Sequence, residues 1–484
     1  MRRLFLYIAA VLIPTLVYAQ APETLWTKTF TFGGLNDIPV GLILDSSNNI
    51  YINGHKSTGD PATIQASLAK FNSNGDILWI VYDSADVWTS SEYNHTTIIS
   101  ANSIVWYSVD WFSSGGWLTA YNTNSTQLWR QEIDDLLYLT SYEDTILAVT
   151  VNNGGAGSSQ ALFLDSDGTL QRSFSITDVA IGIITPHIQE NYLWISALYF
   201  QGGVVNVNGF VAKYNIITGE LFWRWEIEDA VRAFSVIDTE GNTYFTASQA
   251  TNDTSGFLQY VLVKIDPDGN VLWHNEWFAH SNFEANSENW VNGVAVSELH
   301  NQVVVYGTTQ KGTTHTGDKS NYVTGFNTQT GDSLWTMQWE YDDDAIINQI
   351  NGGVFDSNDD LILLGNTFTG GNVLNQGYLQ KYSLSTIAVK EEFTQLPKAF
   401  HLAQNYPNPF NPLTAIQFSL PSSGHATLII YDLVGHEVDM IIDKQLGSGL
   451  HTFFWDGSNF STGVYMYQLT NGKFTQTRKM ILLK

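Results

Sequence analysis

From residue 24 to residue 385 the chain reads as short apolar runs broken by clusters of Gly, Asn, Asp, Ser and Thr, which predicts many short strands rather than helices. One unit recurs: an apolar pair, often Lys, an aromatic residue, Asn or Asp, a turn with Gly, then an apolar residue and Trp. It reads LAKFNSNGDILW up to Trp79, LTAYNTNSTQLW up to Trp129, VAKYNIITGELFW up to Trp223, LVKIDPDGNVLW up to Trp273 and VTGFNTQTGDSLW up to Trp335. A degenerate copy, LFLDSDGTLQR, puts Arg172 in the Trp position, and Trp26 fills that position without the preceding hairpin. The spacing averages about 51 residues, the size of a four-stranded propeller blade. Tight polar turns give a second count, at Asp45–Ile50, Ser100–Ile104, Ser141–Ile146, Ile188–Tyr192, Asp238–Thr243, Ser297–Gln302 and Asp356–Leu361. Both counts give seven, so an all-β chain with a seven-bladed β-propeller over residues 22–390 is expected. Thr24–Phe30 would complete the last blade beside Tyr378–Leu384 and close the ring, removing free sheet edges.

The two ends of the chain read differently. Arg2 and Arg3 precede the apolar run Leu4–Val17, and Ala19 and Ala21 follow, so residues 1–21 are expected to be a secretory signal peptide. Pro14 and the polar sequence from Gln20 argue against a membrane anchor, and no other stretch is long enough to span a bilayer. After a linker at 391–399, residues 400–484 alternate apolar and polar positions between turns such as Asp456-Gly457 and Asn471-Gly472, a β-sandwich of immunoglobulin size.

Within that segment NYPNPFNPLTAIQFSLP, IIYDLVGHEV, GLHTFFWDG, GVYMYQL and the terminal RKMILLK resemble the C-terminal sorting domain of type IX secretion cargo. The resemblance implies export through periplasm to the cell surface or medium, with the type IX secretion machinery as partner. It implies recognition through Gly463, Tyr465, Leu469, Lys479 and Lys484, although Tyr465 and Leu469 would be core residues in any such sandwich. A non-sorting immunoglobulin-like module is the competing reading. Residues 24–385 resemble the bacterial beta-propeller repeat, and AKYNIITGELFW is similar to the Trp-docking repeat of pyrroloquinoline quinone enzymes. That resemblance implies a fold and not an activity.

Composition narrows the function classes. The 484 residues carry a net charge of −26, with 14% charged and 13% aromatic residues and no Cys. Such acidity argues against nucleic-acid partners, whose phosphates call for Lys and Arg. The aromatic content excludes a disordered chain, and the lack of Cys excludes disulfides and a lipidated N-terminal Cys. Nearly all of the negative excess falls within residues 22–390. A monomer without a cofactor is expected.

Candidate chemistry lies on the face expected to bear the long connections, such as Gly54–Gln65, Leu198–Gly209, Thr308–Asn321 and His274–Asn292. Trp88, Trp111, Trp117, Trp277 and Trp290 are candidate loop aromatics for a glycan or protein ligand. An Asp recurs just before each innermost strand: Asp37, Asp86, Asp135, Asp178, Asp229 and Asp344, with Asn289 in the sixth copy. Converging on a central channel, these carboxylates would hold Ca²⁺ or a cationic ligand, or serve as acid and base. The competing expectation is architectural: each Asp accepts backbone N–H groups and splices neighbouring blades. Asp165-Ser166-Asp167-Gly168 and Asp266-Pro267-Asp268-Gly269 look like calcium-loop fragments but sit at turns and stop short of a full ligand set. The favoured reading is a secreted, non-enzymatic binding propeller; the alternative is a hydrolase or lyase using channel-rim carboxylates.

Overall fold

The computed structural model describes residues 22–34, 36–57, 65–82, 97–100, 103–110, 115–134, 136–142, 144–151, 158–177, 185–200, 207–250, 258–277, 288–310, 319–339, 345–369, 376–384, 400–402, 405, 408, 410, 413–420, 424–446, 449–457 and 460–483. The expected signal peptide and linker lie outside them. Every regular element among the described residues is a strand.

Strands between residues 23 and 383 pair into seven four-stranded antiparallel sheets. Their innermost strands are Asn36–Leu44, Thr97–Ser100, Leu136–Tyr142, Thr185–Gln189, Ala230–Ile237, Glu288–Ser297 and Ala345–Phe355, numbered here as sheets 1 to 7. Each innermost strand touches the next, and that of sheet 7 returns to that of sheet 1. The ring is a β-propeller. Sheet 7 takes its outermost strand from the start of the chain: Glu23–Phe30 pairs with Gln376–Ser383, with Phe30 opposite Gly377. Strand pairing runs further than the sequence implies. Ile50–Ser57 and Gln65–Phe71, for example, take in both ends of the expected loop Gly54–Gln65, because the backbone groups there find ladder partners.

The repeat unit is a latch between neighbouring sheets. In each sheet from 1 to 6 the Asn or Asp at the end of the third strand caps the turn: Asp266 Oδ1 accepts the N–H of Asp268 at 3.0 Å and of Asn270 at 2.8 Å, and Asn72 does the same for Asn74 and Asp76. This is an Asx turn, so Asp165 and Asp266 spend their carboxylates on local backbone. The Trp then reaches the next sheet's turn. Trp79 Nε1 donates to the carbonyl of Thr123 at 3.1 Å, Trp223 to Pro267 at 3.0 Å and Trp273 to Thr328 at 3.1 Å. In all three cases the Lys of the unit, Lys70, Lys213 or Lys264, donates to that same carbonyl. Gly269, at φ +93°, lies under the Trp223 ring, where an added Cβ would come within 2.8 Å of Cγ. Left-handed backbone and the absence of a side chain are both required there.

The inner strands are stitched as well. His187 Nε2 lies 2.6 Å from the Ser235 carbonyl, Asn292 Nδ2 donates to Ile350 O at 2.8 Å and Asn351 Nδ2 to Pro39 O at 2.5 Å. Register shifts at Pro39/Gly41, Leu136/Tyr138, Ala230/Arg232, Val291/Gly293 and Ile350/Gly352 mark β-bulges that turn side chains toward the neighbouring sheet.

The C-terminal segment is a β-sandwich. One sheet holds His401–Leu402, Leu413–Leu420 and Gly449–Asp456, the other Glu437–Leu446, Gly424–Tyr431, Gly463–Asn471 and Phe474–Leu482. Between them lies a core that includes Phe410, Ile416, Phe418, Leu428, Trp455, Tyr467, Leu469 and Met480.

Candidate functional site

Asp37 is the ring carboxylate whose surroundings are best defined. It lies inside the innermost strand of sheet 1, fully buried. Its Oδ2 accepts the Thr31 hydroxyl and the N–H of Phe32 at 2.6 Å, and Gly34 N–H reaches Oδ1 at 3.1 Å. These donors belong to the segment leaving the outermost strand of sheet 7, so the carboxylate fastens the closing strand to the start of sheet 1. Burial raises the Asp37 pKa and the hydrogen bonds pull against it. Asp229 stands in the turn before the innermost strand of sheet 5, in the left-handed region at φ +54°; its N–H bonds Asn208 Oδ1 and its carbonyl accepts Ala250 N–H. Asp86, Asp135, Asp178 and Asp344 lie outside the described residues. Asn289 is part of the strand Glu288–Ser297.

The described aromatic candidates are in strands, not loops. Trp117 belongs to Gly115–Asn122, and the Arg130 guanidinium lies 4.5 Å over its ring. Trp277 ends the strand Val271–Trp277 and packs against Tyr260 and Phe326, at 5.5 and 4.6 Å between ring centroids. Trp290 lies near the start of the innermost strand of sheet 6 and carries the Arg232 guanidinium 4.3 Å over its ring. Ladder pairing holds these positions, since Tyr260 opposes Trp277 and Trp290 opposes Thr308. Trp88 and Trp111 lie outside the described residues.

Around Trp290 the structure gathers residues that the sequence pattern did not single out. Arg232 follows the bulge in sheet 5 that leaves Val231 38% exposed. Its Nη1 donates to Asn292 Oδ1, and Asn292 in turn donates to Thr308 Oγ1 at 3.0 Å. No carboxylate among the described residues pairs with Arg232. Burial draws its pKa down to about 10, with the hydroxyls of Tyr322 and Tyr260 nearby. The two tyrosine rings lie 4.9 Å apart, with their hydroxyls close to each other. Trp277 Nε1 is a buried donor without a hydrogen-bond partner among the described residues. Arg232, Trp290 and Asn292 near the start of innermost strands, Tyr260 and Tyr322 near the start of third strands and Trp277 at the end of an outermost strand all fall toward the same face of the ring. The one signal in the sequence was a lone Arg in an inner strand of a very acidic domain.

In the sandwich, Gly463 starts a strand, Leu469 is fully buried and Tyr465 donates to Ser461 O at 2.7 Å while packing edge-on to Trp455. Lys479 is exposed on the last strand, whereas Lys484 lies outside the described residues. The Asn- and Pro-rich stretch is bound to that last strand: Phe410 N–H donates to Ile481 O, Leu483 N–H to Phe410 O and Ile481 N–H to Asn408 Oδ1, all at 2.9 Å. Asn405 N–H donates to the Tyr467 hydroxyl at 2.7 Å. Residues 404–483 match the secretion system C-terminal sorting domain. The chain is therefore a type IX-secreted cargo with a propeller fold, exported to the cell surface or the medium.

No curated protein matches the sequence. Solved structures similar to it include the β-propeller domain of the Trilobed protease from Pyrococcus furiosus, at 9% identity, 73% of this chain, 95% of that one and a TM-score of 0.44. A europium-containing methanol dehydrogenase (12% identity, 75% and 93% covered, TM-score 0.41) and the polysaccharide lyase Uly1 (9%, 77% and 94%, 0.46) are similar to a like degree. Among the described residues no group of three His, Asp or Glu could hold a metal ion, and no helix is long and apolar enough to cross a membrane.

Proposed function

We propose that this chain is a secreted or surface-attached, non-enzymatic binding protein, its seven-bladed propeller at residues 22–390 holding a glycan or protein ligand on the face where Arg232 and Trp290 lie. Residues 1–21 direct entry into the periplasm as a cleaved signal peptide, 391–399 link the domains, and the immunoglobulin-like module at 400–484 carries the protein, as a monomer, across the outer membrane. Gly463, Tyr465, Leu469, Lys479 and Lys484 are the proposed contacts of the sorting machinery. The observation that carries the binding reading is the Arg232 guanidinium at the seam of sheets 5 and 6, which no carboxylate among the described residues pairs and which lies over the Trp290 ring and donates to Asn292. Against it stands acid–base or Ca²⁺ chemistry at the channel rim, which needs free carboxylates; that of Asp37 already accepts three donors.

The test is a glycan array, a protein-capture assay and a hydrolase and lyase screen on the full chain, with and without EDTA. Ligand retention without turnover is expected. Turnover abolished by Asp229→Asn or Asp344→Asn would overturn the binding reading. Export is tested by deleting residues 400–484 in a type IX-competent host: surface delivery is expected to stop.

A further inference from the structure

Eight turns among the described residues share one build, in which the Oδ1 of an Asp or Asn accepts the N–H groups two and four residues on. Seven lie in the propeller, and their tips are Ser, Thr or Pro followed by Ser, Asn, Asp or Glu, as in Ser73-Asn74. The eighth joins Gly424–Tyr431 to Glu437–Leu446 in the sorting domain, and its tip is Leu433-Val434, exposed at 68% and 80%. Its geometry is the same: Asp432 Oδ1 accepts Val434 N–H at 2.8 Å and His436 N–H at 2.9 Å, and Gly435 takes the left-handed position. The propeller copies show that this turn needs no apolar side chain, so folding does not account for the pair. Exposed apolar pairs such as Leu221-Phe222 are different, since they lie in an outermost strand, where Tyr192 packs on Phe222 at 5.8 Å. Two large aliphatic groups held in water at a protruding tip mark a contact surface.

We infer that Leu433 and Val434 form an apolar knob that seats in a pocket of the type IX secretion machinery, a contact additional to the sorting residues named above. This rests on the sorting reading and deepens it. Position supports the occupant. Tyr431 opposes Met466, Met466 opposes Lys479 and Gly463 opposes Leu482, so the knob, Gly463 and the end of the last strand stand at one end of one sheet. Charge favours protein over lipid. Asp432 and Glu437 flank the knob, and no Lys or Arg occurs between Lys398 and Lys444. The hairpin therefore lacks the cations that draw a segment to an anionic membrane surface, and the pocket that fits it is apolar within and cationic at its rim. The clamped turn presents the two side chains on a fixed backbone, so docking costs little conformational freedom.

The experiment follows the full chain in a type IX-competent host. Leu433→Ser with Val434→Asn, which copies the tip of the turn at Asn72, should cut delivery to the surface and medium roughly tenfold, as loss of a central apolar anchor does. The melting temperature of the purified protein should stay unchanged. Leu433→Met with Val434→Ile, which keeps the knob apolar, should be delivered normally. Normal delivery of the Ser-Asn variant overturns the inference, and so does an equal loss in the Met-Ile variant. Because the chain has no Cys, Val434→Cys places a single thiol for a photo-crosslinker on the knob. Cross-links to a type IX component are expected with outer membranes of the competent host and not with those of a host lacking the machinery. Cross-linking to lipid, or the same products from both membranes, overturns the inference, and this result decides alone if the Ser-Asn variant melts lower. Deleting residues 400–484 separates the two readings. If it stops delivery while the Ser-Asn variant is delivered normally, only the knob is wrong; if it leaves delivery intact, the sorting reading falls as well.

Discussion

A middle strand of the propeller and a middle strand of the sorting domain obey different rules. Thr243–Ala250 is buried at six successive positions, whereas Gly463–Asn471 alternates between buried and partly exposed from Tyr465 onward. A propeller sheet is covered on both faces by its neighbours, so its middle strands lose the polar half of the usual alternation. The sandwich covers one face of each sheet and keeps it. What holds adjacent units together differs accordingly. The sandwich relies on one continuous apolar core, while the propeller adds a polar latch, complete at the seams of sheets 4 and 5 and of sheets 5 and 6: a Trp and a Lys on one carbonyl, and a Gly beneath the ring. A wedge-shaped assembly leaves its perimeter widest where the turns lie, and the large indole fills that width.

The largest expected effect is at the latch. Trp223→Ala should cost about 3–5 kcal/mol in urea unfolding, the cost of deleting a large packed aromatic. Arg172→Ala, in the degenerate copy where the guanidinium stacks on Phe163 of its own sheet, should cost less than about 1 kcal/mol. Equal losses would mean that the latch adds nothing to the seams. Asp37→Ala should follow, at on the order of 3 kcal/mol, because it orphans the Phe32 and Gly34 amides and the Thr31 hydroxyl at the ring closure.

A matched pair of glycines separates backbone strain from packing. Gly269 and Gly435 share φ +93°, but an added Cβ at Gly269 meets Trp223 and at Gly435 meets nothing within 4 Å. Gly435→Ala in the sorting domain should cost only the left-handed penalty, about 1–2 kcal/mol, and Gly269→Ala measurably more. Matching values from thermal unfolding would refute close contact at the latch. The smallest effect concerns pH. Burial lowers the His187 pKa in the seam of sheets 4 and 5 from its usual 6.5. The unfolded chain then takes up the proton first, so this contribution to stability is present above pH 6.5 and fades as pH falls toward the folded-state value. His187→Gln, which can still donate to the Ser235 carbonyl, should flatten that part of the melting-temperature profile.

Much of this was legible along the chain. The Asn or Asp that caps each turn, the Gly behind it and the Trp after it act within a dozen residues, so the four-stranded repeat and the propeller fold could be read from their spacing alone. In the sandwich the hairpins were equally local, but Leu413–Leu420 with Gly449–Asp456 and Gly424–Tyr431 with Gly463–Asn471 pair across intervening strands. The candidate site was not legible in the same way. Asp37 was chosen for its recurrence, but recurrence could not show that Thr31, Phe32 and Gly34 would occupy both its oxygens. Trp277 and Trp290 were chosen as loop aromatics, and long-range ladder pairing drew them into strands.

Sequence by itself thus determined the architecture and the export address, because both are written in short repeated or contiguous segments whose physics is local. Only the tertiary structure decided which polar groups are spent and which are left over. Arg232 stands 60 residues from Asn292 and 90 from Tyr322, and nothing in its own strand marks it. The contacts of its guanidinium with Asn292 and the Trp290 ring come from the neighbouring sheet, and they exist only once the ring has closed.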